Sequence, residues 1–250
     1  MERDDRAAVA TFFTGAPITP GGVTTLGEAA AHHARVKRLA PGDGVHVTDG
    51  AGRIGIGTIA SIGRGSIDVA IERANDVERP APIHLRVPIG DRDRMLWLAE
   101  KVTELGITTW QAVRFRRSAS VSPRGEGDAF TAKLRARMIA ALEQSGGAWL
   151  PAILPDVPFG TVAFGPTELP IVLHRGGVPL LSVASSAPGL EPVTLFGPEG
   201  GIERDELAGL VSAGWRPASL AATTVRFETA GVAAVAVIRA ARLGGTLGGT

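Results

Sequence analysis

The chain has 250 residues, of which 44% are hydrophobic, and its formal net charge at pH 7 is +1. It contains no cysteine, which excludes disulfides, thiolate catalysis and zinc sites built on cysteine. The first residues are charged and no apolar run reaches the roughly 18 residues of a membrane helix, so we expect a cytoplasmic protein with no membrane partner.

The first 74 residues are predicted to form a small β-barrel domain. Residues 45–47, 54–59 and 67–71 have the composition of short strands, and they are separated by glycine-containing turns. One helix, predicted over 26–39, interrupts this series, and many short strands with a single helix are typical of a small barrel. Residues 75–82 contain charges and two prolines and are predicted to be a linker.

The remaining residues, 83–250, are predicted to form an α/β domain because strands and helices alternate from Ile83 onward. The predicted strands are 83–89, 109–115, 169–174 and 192–196, and the predicted helices are 91–105, 128–144, 203–212 and 228–242. The last helix is apolar almost all round, so it needs burial on several sides, which a partner subunit could supply.

Three loops are candidates for chemistry, of which two follow predicted strands and the third leads into a predicted helix. Residues 196–203 read Phe-Gly-Pro-Glu-Gly-Gly-Ile-Glu, and glycines before a helix allow a ligand close to the backbone, although an ordinary strand-to-helix turn looks the same. The segment has neither the P-loop ending nor the Rossmann glycine spacing. Residues 173–177 and 220–230 are the other two. Because ligands bind beyond the carboxyl ends of strands in open α/β sheets, all three are expected at one edge.

Charged residues outside these loops give weaker signals. Residues 114–137 contain seven basic and two acidic side chains, which predicts either a phosphate-binding zone or a solvated helix face. Glu228 is placed at a helix start, where the helix dipole alone would favour it. The adjacent His32 and His33 do not share a helix face, so no metal site is expected.

Several segments form a pattern in their joint order and spacing. They are His32 to Leu39 (His-His-Ala-Arg-Val-Lys-Arg-Leu), Gly42-Asp43, Lys101 to Gly106 (Lys-Val-Thr-Glu-Leu-Gly), Arg117-Ser118, Glu143 to Gly146 (Glu-Gln-Ser-Gly), Gly197 to Gly201 (Gly-Pro-Glu-Gly-Gly) and Arg226-x-Glu228-Thr229-Ala230. Together they resemble the RsmE family of 16S ribosomal RNA (uracil-N3) methyltransferases, in the SPOUT superfamily. The resemblance runs through nearly the whole chain.

This resemblance implies a PUA-like β-barrel followed by a SPOUT α/β-knot domain with a deep trefoil knot. It also implies a homodimer that uses S-adenosylmethionine and acts on 16S rRNA of the small ribosomal subunit. The residues implied around the cofactor are Leu173, His174, Gly197, Pro198, Glu199, Gly200, Gly201, Leu220, Ala221 and Val225. Those implied to contact RNA are His33, Arg35, Arg38, Arg117, Arg124 and Arg137.

For catalysis, we predict that Arg226 stabilises negative charge on the uracil carbonyls and that Glu199 or Glu228 orients the base or accepts its proton. The chain departs from the usual family pattern at four positions that bear on cofactor and RNA binding. Ala221 replaces a glycine, Thr223 and Gly147 replace arginines, and Arg175 replaces an acidic residue. Two alternatives stay open: a SPOUT enzyme with another RNA target, and a non-catalytic RNA-binding assembly factor.

Overall fold

The computed structural model describes residues 8–120 and 123–244. The predicted domain ranges and the charged start include residues 1–7, 121–122 and 245–250, which lie outside the described residues. The chain divides into two compact units, which we call unit 1 and unit 2. Unit 1 runs to Arg79 and also contains Ile139–Leu150, whereas unit 2 contains Pro80–Met138 and the chain from Pro151 onward.

Unit 1 is built on one five-stranded sheet. Its elements are β1 (Thr11–Phe13), β2 (Val23–Leu26), α1 (Glu28–Val36), β3 (Gly44–Thr48), β4 (Arg53–Ile62) and β5 (Ile67–Asp76). The strand order is β1-β3-β4-β5-β2, with β1 parallel to β3 and the other pairs antiparallel. Phe12 of one edge strand and Leu26 of the other belong to the same buried cluster. The sheet therefore curls around a single core, as expected for a small barrel.

Two boundaries in unit 1 differ from the sequence prediction. Helix α1 is shorter than 26–39, because Leu26 ends β2 and Arg38 has a left-handed backbone (φ 57°) just beyond the helix. The predicted linker begins inside β5, which continues to Asp76. Val77 is also held in place, since its N–H donates to the Gly52 carbonyl (2.7 Å) and its carbonyl accepts from Trp149 Nε1 (3.1 Å).

Residues 139–150 belong to unit 1, although they lie inside the predicted range 83–250. Glu143 makes one of the connections, because its Oε1 accepts the N–H of Phe13 at 2.8 Å. Trp149 makes another by forming an isolated β-bridge with Ala51. The domain ranges stay predictions, and the structure adds that a late segment packs with the early one.

Unit 2 is an α/β fold, as predicted, and the structure adds that its sheet has six strands, all parallel. Its strand order is β11-β9-β10-β6-β7-β8. Its strands are β6 (His84–Pro88), β7 (Thr109–Arg114), β8 (Ala152–Pro158), β9 (Glu168–Pro179), β10 (Glu191–Leu195) and β11 (Arg216–Ser219). The helices are α2 (Arg92–Glu104), α3 (Asp128–Ser145), α4 (Leu180–Ser185), α5 (Arg204–Ser212) and α6 (Phe227–Gly244), where α3 continues into unit 1.

The predicted helices and strands of unit 2 recur within a few residues of their expected bounds, except that β9 runs five residues past the predicted end. Three elements were missed, namely β8, α4 and β11. The strands β8 and β11 lie at the two edges of the sheet and contain prolines, which weaken a strand signal. Helix α6 packs against α2 and α4, so part of its apolar surface is buried within this unit. None of the described helices combines the length and apolarity that crossing a membrane requires.

Glu143 should make the stability of unit 1 depend on pH. Burial raises the pKa of its carboxyl above the ordinary 4.5, and the Phe13 N–H and nearby Lys37 only partly offset this. A raised folded-state pKa means that the folded chain binds the proton more tightly, so stability falls as pH rises above 4.5 through the folded pKa.

The variant Glu143→Gln should lose this dependence while keeping an oxygen for the Phe13 N–H. Thermal unfolding between pH 4 and pH 8 should show wild type losing stability relative to the variant as pH rises. The exposed Glu72→Gln in the same unit serves as control and should follow wild type. Parallel curves for Glu143→Gln and wild type would contradict the assignment.

Candidate functional site

A cleft of about 570 Å³ lies where the chain leaves strands β9, β10 and β11 of unit 2. It is lined by the three loops that the sequence singles out. They are residues 173–177, which we call the first loop, residues 196–203, the second loop, and residues 220–226, the third loop, which is shorter than the predicted 220–230 because α6 begins at Phe227. The structure thus brings together three segments that are far apart in sequence, at the sheet edge where parallel-sheet proteins bind ligands.

The ten residues that the resemblance assigns to a cofactor are nearly all in this cleft. Nine of them line it: Leu173, His174, Gly197, Pro198, Glu199, Gly201, Leu220, Ala221 and Val225. The tenth, Gly200, is turned away from the cleft, and its carbonyl accepts a hydrogen bond from Arg117. Three of the four positions that depart from the family pattern, Arg175, Ala221 and Thr223, also line the cleft.

The first loop is an excursion from the middle of β9. In the ladder with β11, Pro217 pairs with Val172 and the next residue, Ala218, pairs with Val178, so the five residues between are expelled from the sheet. Gly177 permits this path, because a Cβ on it would lie 2.5 Å from the backbone of Pro217 and Ala218. Within the loop, His174 Nδ1 accepts the N–H of Gly176 at 3.1 Å, which leaves Nε2 of a neutral ring as a donor.

The second loop is fixed by the start of α5. Gly201 takes a positive φ of 76° that other residues rarely adopt, and the loop then enters the helix through a capping box. In that box the Glu203 N–H donates to Glu206 Oε2 at 2.9 Å. Arg117 also bonds the Gly200 carbonyl and lies 3.4 Å from Glu203 Oε1. The loop is therefore held from both sides.

Arg94 is a cleft residue that the sequence interpretation missed. It lies in the first turn of α2, with its Nη1 3.9 Å from Glu199 Oε1 and its Nε 4.0 Å from Glu228 Oε1. Glu199 is further tied to this helix start because its Oε1 accepts the N–H of Asp91 at 3.2 Å. A cation in the first turn opposes the helix dipole, and this mismatch was the available sequence signal.

The predicted catalytic residues occupy different positions. Arg226 and Glu199 line the cleft, and in the part of the chain that the structure describes no ion pair of Arg226 with Glu199 or Glu228 is present. Glu228 is 9% exposed and does not line the cleft. Its Oε2 is buried without a hydrogen-bond partner among the described residues. The guanidinium that contacts both glutamates is that of Arg94.

The predicted RNA contacts of unit 1 have diverse surroundings. Arg35 is exposed but donates to the carbonyls of Gly63 (3.2 Å) and Arg64 (2.8 Å), and Arg38 is exposed at the end of α1. His33 lines a separate cleft of about 470 Å³ within unit 1. Burial lowers the pKa of His33, and its Nδ1 lies 3.9 Å from Glu143 Oε2.

The basic zone of residues 114–137 is largely neutralised in unit 2. Arg124 pairs with Glu126 at 2.8 Å, Arg137 pairs with Glu100 at 3.2 Å, and Arg117 approaches Glu203. Arg114 and Arg116 also have carboxylate partners. The carboxylates offset the positive charge of these arginines. The zone therefore attracts phosphate less strongly than its count of basic residues indicates.

Two family models match the chain. One, described as an RNA methyltransferase domain, matches residues 77–239, which is more than half of the chain. The chain belongs to the RNA methyltransferase family. The second model, described as an RNA methyltransferase PUA domain, matches residues 26–72 of this RNA methyltransferase, within unit 1. The resemblance seen in the sequence is thus confirmed, as is the combination of an α/β fold with a PUA-like domain.

Relatives of this RNA methyltransferase match most of its length. A protein of Synechocystis sp. named Ribosomal RNA small subunit methyltransferase E is 27% identical over 223 residues, covering 86% of this chain and 72% of the relative. A Mycobacterium bovis protein of the same name is 28% identical over 235 residues, covering 89% and 87%. The structure of a Ribosomal RNA small subunit methyltransferase E from Neisseria gonorrhoeae, bound to S-adenosyl methionine, has a TM-score of 0.79 and 23% identity. The structural match covers 92% of this chain and 97% of the Neisseria gonorrhoeae chain. At this sequence identity it shows that the two proteins share a fold.

The path of the first loop generates a prediction about Gly177. Gly177→Ala should lower the thermal midpoint by about 5 °C, because the added Cβ overlaps the backbone of Pro217 and Ala218 and overpacking typically costs about 1–3 kcal/mol. Gly189→Ala is the matched control, since a Cβ there meets no atom within 4 Å. Equal midpoints for the two variants would show that the close approach is not required.

Proposed function

We propose that this protein is an S-adenosylmethionine-dependent methyltransferase that methylates N3 of a uridine in 16S rRNA of the small ribosomal subunit. The observation that carries the proposal is the convergence of the three loops on one cleft. Nine of the ten residues that the resemblance assigns to the cofactor line it. Two relatives are named Ribosomal RNA small subunit methyltransferase E, and the proposal extends the activity in that name to this chain.

The cleft fits this cofactor in size and chemistry. Its volume of about 570 Å³ is in the range of small-molecule sites. Apolar side chains such as Leu173, Leu220 and Val225 offer contacts to an adenosine ring, and the second loop offers backbone groups to its polar atoms. A Cβ on Gly197 would lie 2.7 Å from Ile202, so the backbone itself forms the wall there. When bound, the cofactor supplies a methyl group activated by a positively charged sulfonium.

The charged residues of the cleft suit a uracil substrate. Three arginines (Arg94, Arg175 and Arg226) and one glutamate (Glu199) line it. The N3–H of uridine is a weakly acidic imide, so a cation near the carbonyls favours the nucleophilic, deprotonated form. On this proposal Arg226 stabilises the negative charge that develops on the base, and Glu199 orients the base or accepts its proton. Holding the two substrates together supplies much of the remaining rate enhancement.

RNA recognition is proposed to depend on shape more than on bulk charge. The net charge is +1, and Arg117, Arg124 and Arg137 have carboxylate neighbours. Specific RNA recognition favours structured elements and unstacked bases. An assembled small subunit presents these features, and such a substrate would place the activity in the cytoplasm.

Two further features belong to the proposal. One is the deep trefoil knot, which is supported by the resemblance and by the crossed strand order β11-β9-β10-β6 around the cleft. The other is a homodimer. It is supported by large apolar side chains that remain exposed in unit 2, including Val178 (57%) and Leu181 (56%). An additional subunit would cover such a surface.

The decisive experiment combines radiolabelled cofactor with small subunits from a strain lacking this gene, followed by nucleoside analysis. Label in N3-methyluridine is the expected result. Label in another nucleoside would indicate a SPOUT enzyme with a different RNA target. No label, together with no heat of S-adenosylmethionine binding in calorimetry, would favour the non-catalytic assembly factor.

Arg226→Ala tests the catalytic assignment. We expect turnover to fall about 10²–10³-fold, as when one donor to a developing oxyanion is removed, with only a modest loss of cofactor affinity. Arg204→Ala, an exposed arginine outside the cleft, is the control and should keep wild-type turnover. Near-normal turnover of Arg226→Ala would remove this residue from the mechanism.

A further inference from the structure

We infer that Arg94 is a second substrate-binding arginine, which donates to one carbonyl oxygen of the target uracil, and that Glu199 and Glu228 position its guanidinium. Arg94 lines the same cleft as Arg226 but comes from the start of α2. The inference deepens the proposed function and rests on it. On this inference Arg226 serves one carbonyl oxygen of the uracil and Arg94 serves the other.

The chemistry of uracil calls for two donors. N3 lies between the carbonyls at C2 and C4, and when N3 loses its proton the negative charge spreads over both oxygens. In the transfer, the bond from N3 to the methyl carbon forms while the bond from that carbon to sulfur breaks. The sulfonium becomes a neutral thioether, and the N3 proton passes to Glu199 or, where Glu199 only orients the base, to water. Arg94 and Arg226 line one cleft from different helix starts, so each guanidinium can serve one of the two oxygens.

The position of Arg94 in its helix calls for compensating negative charge. A cation in the first turn of a helix opposes the helix dipole. Arg94 is compensated by two carboxylates from separate elements: Glu199 of the second loop at 3.9 Å and Glu228 of α6 at 4.0 Å. Its side chain still remains 36% exposed, so the guanidinium is held but not enclosed. This arrangement presents a fixed cation to the cleft.

Glu228 acts through Arg94 in this arrangement. Its side chain is 12% exposed, it does not line the cleft, and its Oε2 has no solvent access, so it is not placed to take a proton from a base in the cleft. Its Oε1 lies 4.0 Å from Arg94 Nε, within ion-pair distance. Glu228 is therefore a positioning residue. An uncompensated buried carboxylate is costly, which explains why it needs this cation in turn.

The charged groups around Arg94 determine how turnover should depend on pH. Glu199 and Glu228 contact it, and Arg175, Arg226 and His174 line the same cleft. A cation beside the uracil favours the deprotonated base and lowers the pH at which the reactive form becomes abundant. Removing Arg94 should therefore move the rise of turnover with pH to more alkaline values, whereas a purely structural defect lowers turnover equally at every pH.

The test compares Arg94→Ala, Arg94→Lys and Glu228→Gln with wild type, measuring turnover on small subunits from pH 6 to pH 10 and S-adenosylmethionine affinity by calorimetry. For Arg94→Ala we expect about a 10²-fold loss of turnover at neutral pH, an alkaline shift of the profile and cofactor affinity within a few-fold of wild type. Arg94→Lys should recover part of the turnover and part of the shift. Glu228→Gln should show a smaller loss of turnover, because it leaves Arg94 in place but removes the charge of one of its two carboxylate neighbours.

Arg92→Ala is the matched control, because Arg92 lies in the same helical turn but does not line the cleft. Turnover of Arg94→Ala within threefold of wild type would overturn the inference. So would a loss that is equal at all pH values or accompanied by loss of cofactor binding. If Arg94→Ala does not fold, the profile of Arg94→Lys decides between the same outcomes. A wild type that forms no N3-methyluridine would instead refute the proposed function, which is a separate result.

Discussion

The double pairing of β9 is the constraint on which the cleft depends. This strand is hydrogen-bonded to β10 as far as Val172 and to β11 on its other side, and the ladder with β11 resumes at Val178 after residues 173–177 leave the sheet. The expelled residues have to lie at the edge where β10 and β11 end, because their neighbours Val172 and Val178 are fixed to consecutive residues of β11. The loops after β10 and β11 emerge at the same edge. The irregularity in the β9–β11 ladder therefore brings the first loop to the edge where the other two loops emerge.

The arginines near residue 116 have a structural role that their charge alone does not reveal. Arg116 approaches Glu203 at 2.9 Å and Glu206 at 3.5 Å, and Glu206 is almost fully buried in the capping box of α5. Exposed ion pairs each contribute at most about 1 kcal/mol, but a buried carboxylate that loses its partners is costly. These contacts hold the second loop, which forms one wall of the cleft. Basic residues that a composition count assigns to RNA thus stabilise one wall of the cleft.

Sequence reasoning recovered the parts of the structure that local pattern encodes. Strands such as β6 and helices such as α2 have a clear period, and the meeting of the three loops follows from the general geometry of parallel sheets. Edge strand β11 was missed because its four residues include a proline and it is defined by pairing with β9. Arg94 was missed because its importance depends on Glu199 and Glu228, which are more than a hundred positions away in the chain. Such proximity follows from tertiary packing and has no local signature.

Two departures from the family pattern, at positions 175 and 223, change the charge of the cleft. The usual pattern has an arginine at position 223 and an acidic residue at position 175, so the charges of these two positions cancel. This chain has Thr223 and Arg175, and both line the cleft. The pair as a whole is therefore more positive by one charge than the usual pattern, with the cation moved from the third loop to the first. The cleft therefore contains three arginines and one glutamate, an excess of positive charge that suits an anionic ligand. The substitutions redistribute positive charge around the cleft, which is the expected outcome if binding of RNA and stabilisation of an anionic base are still required.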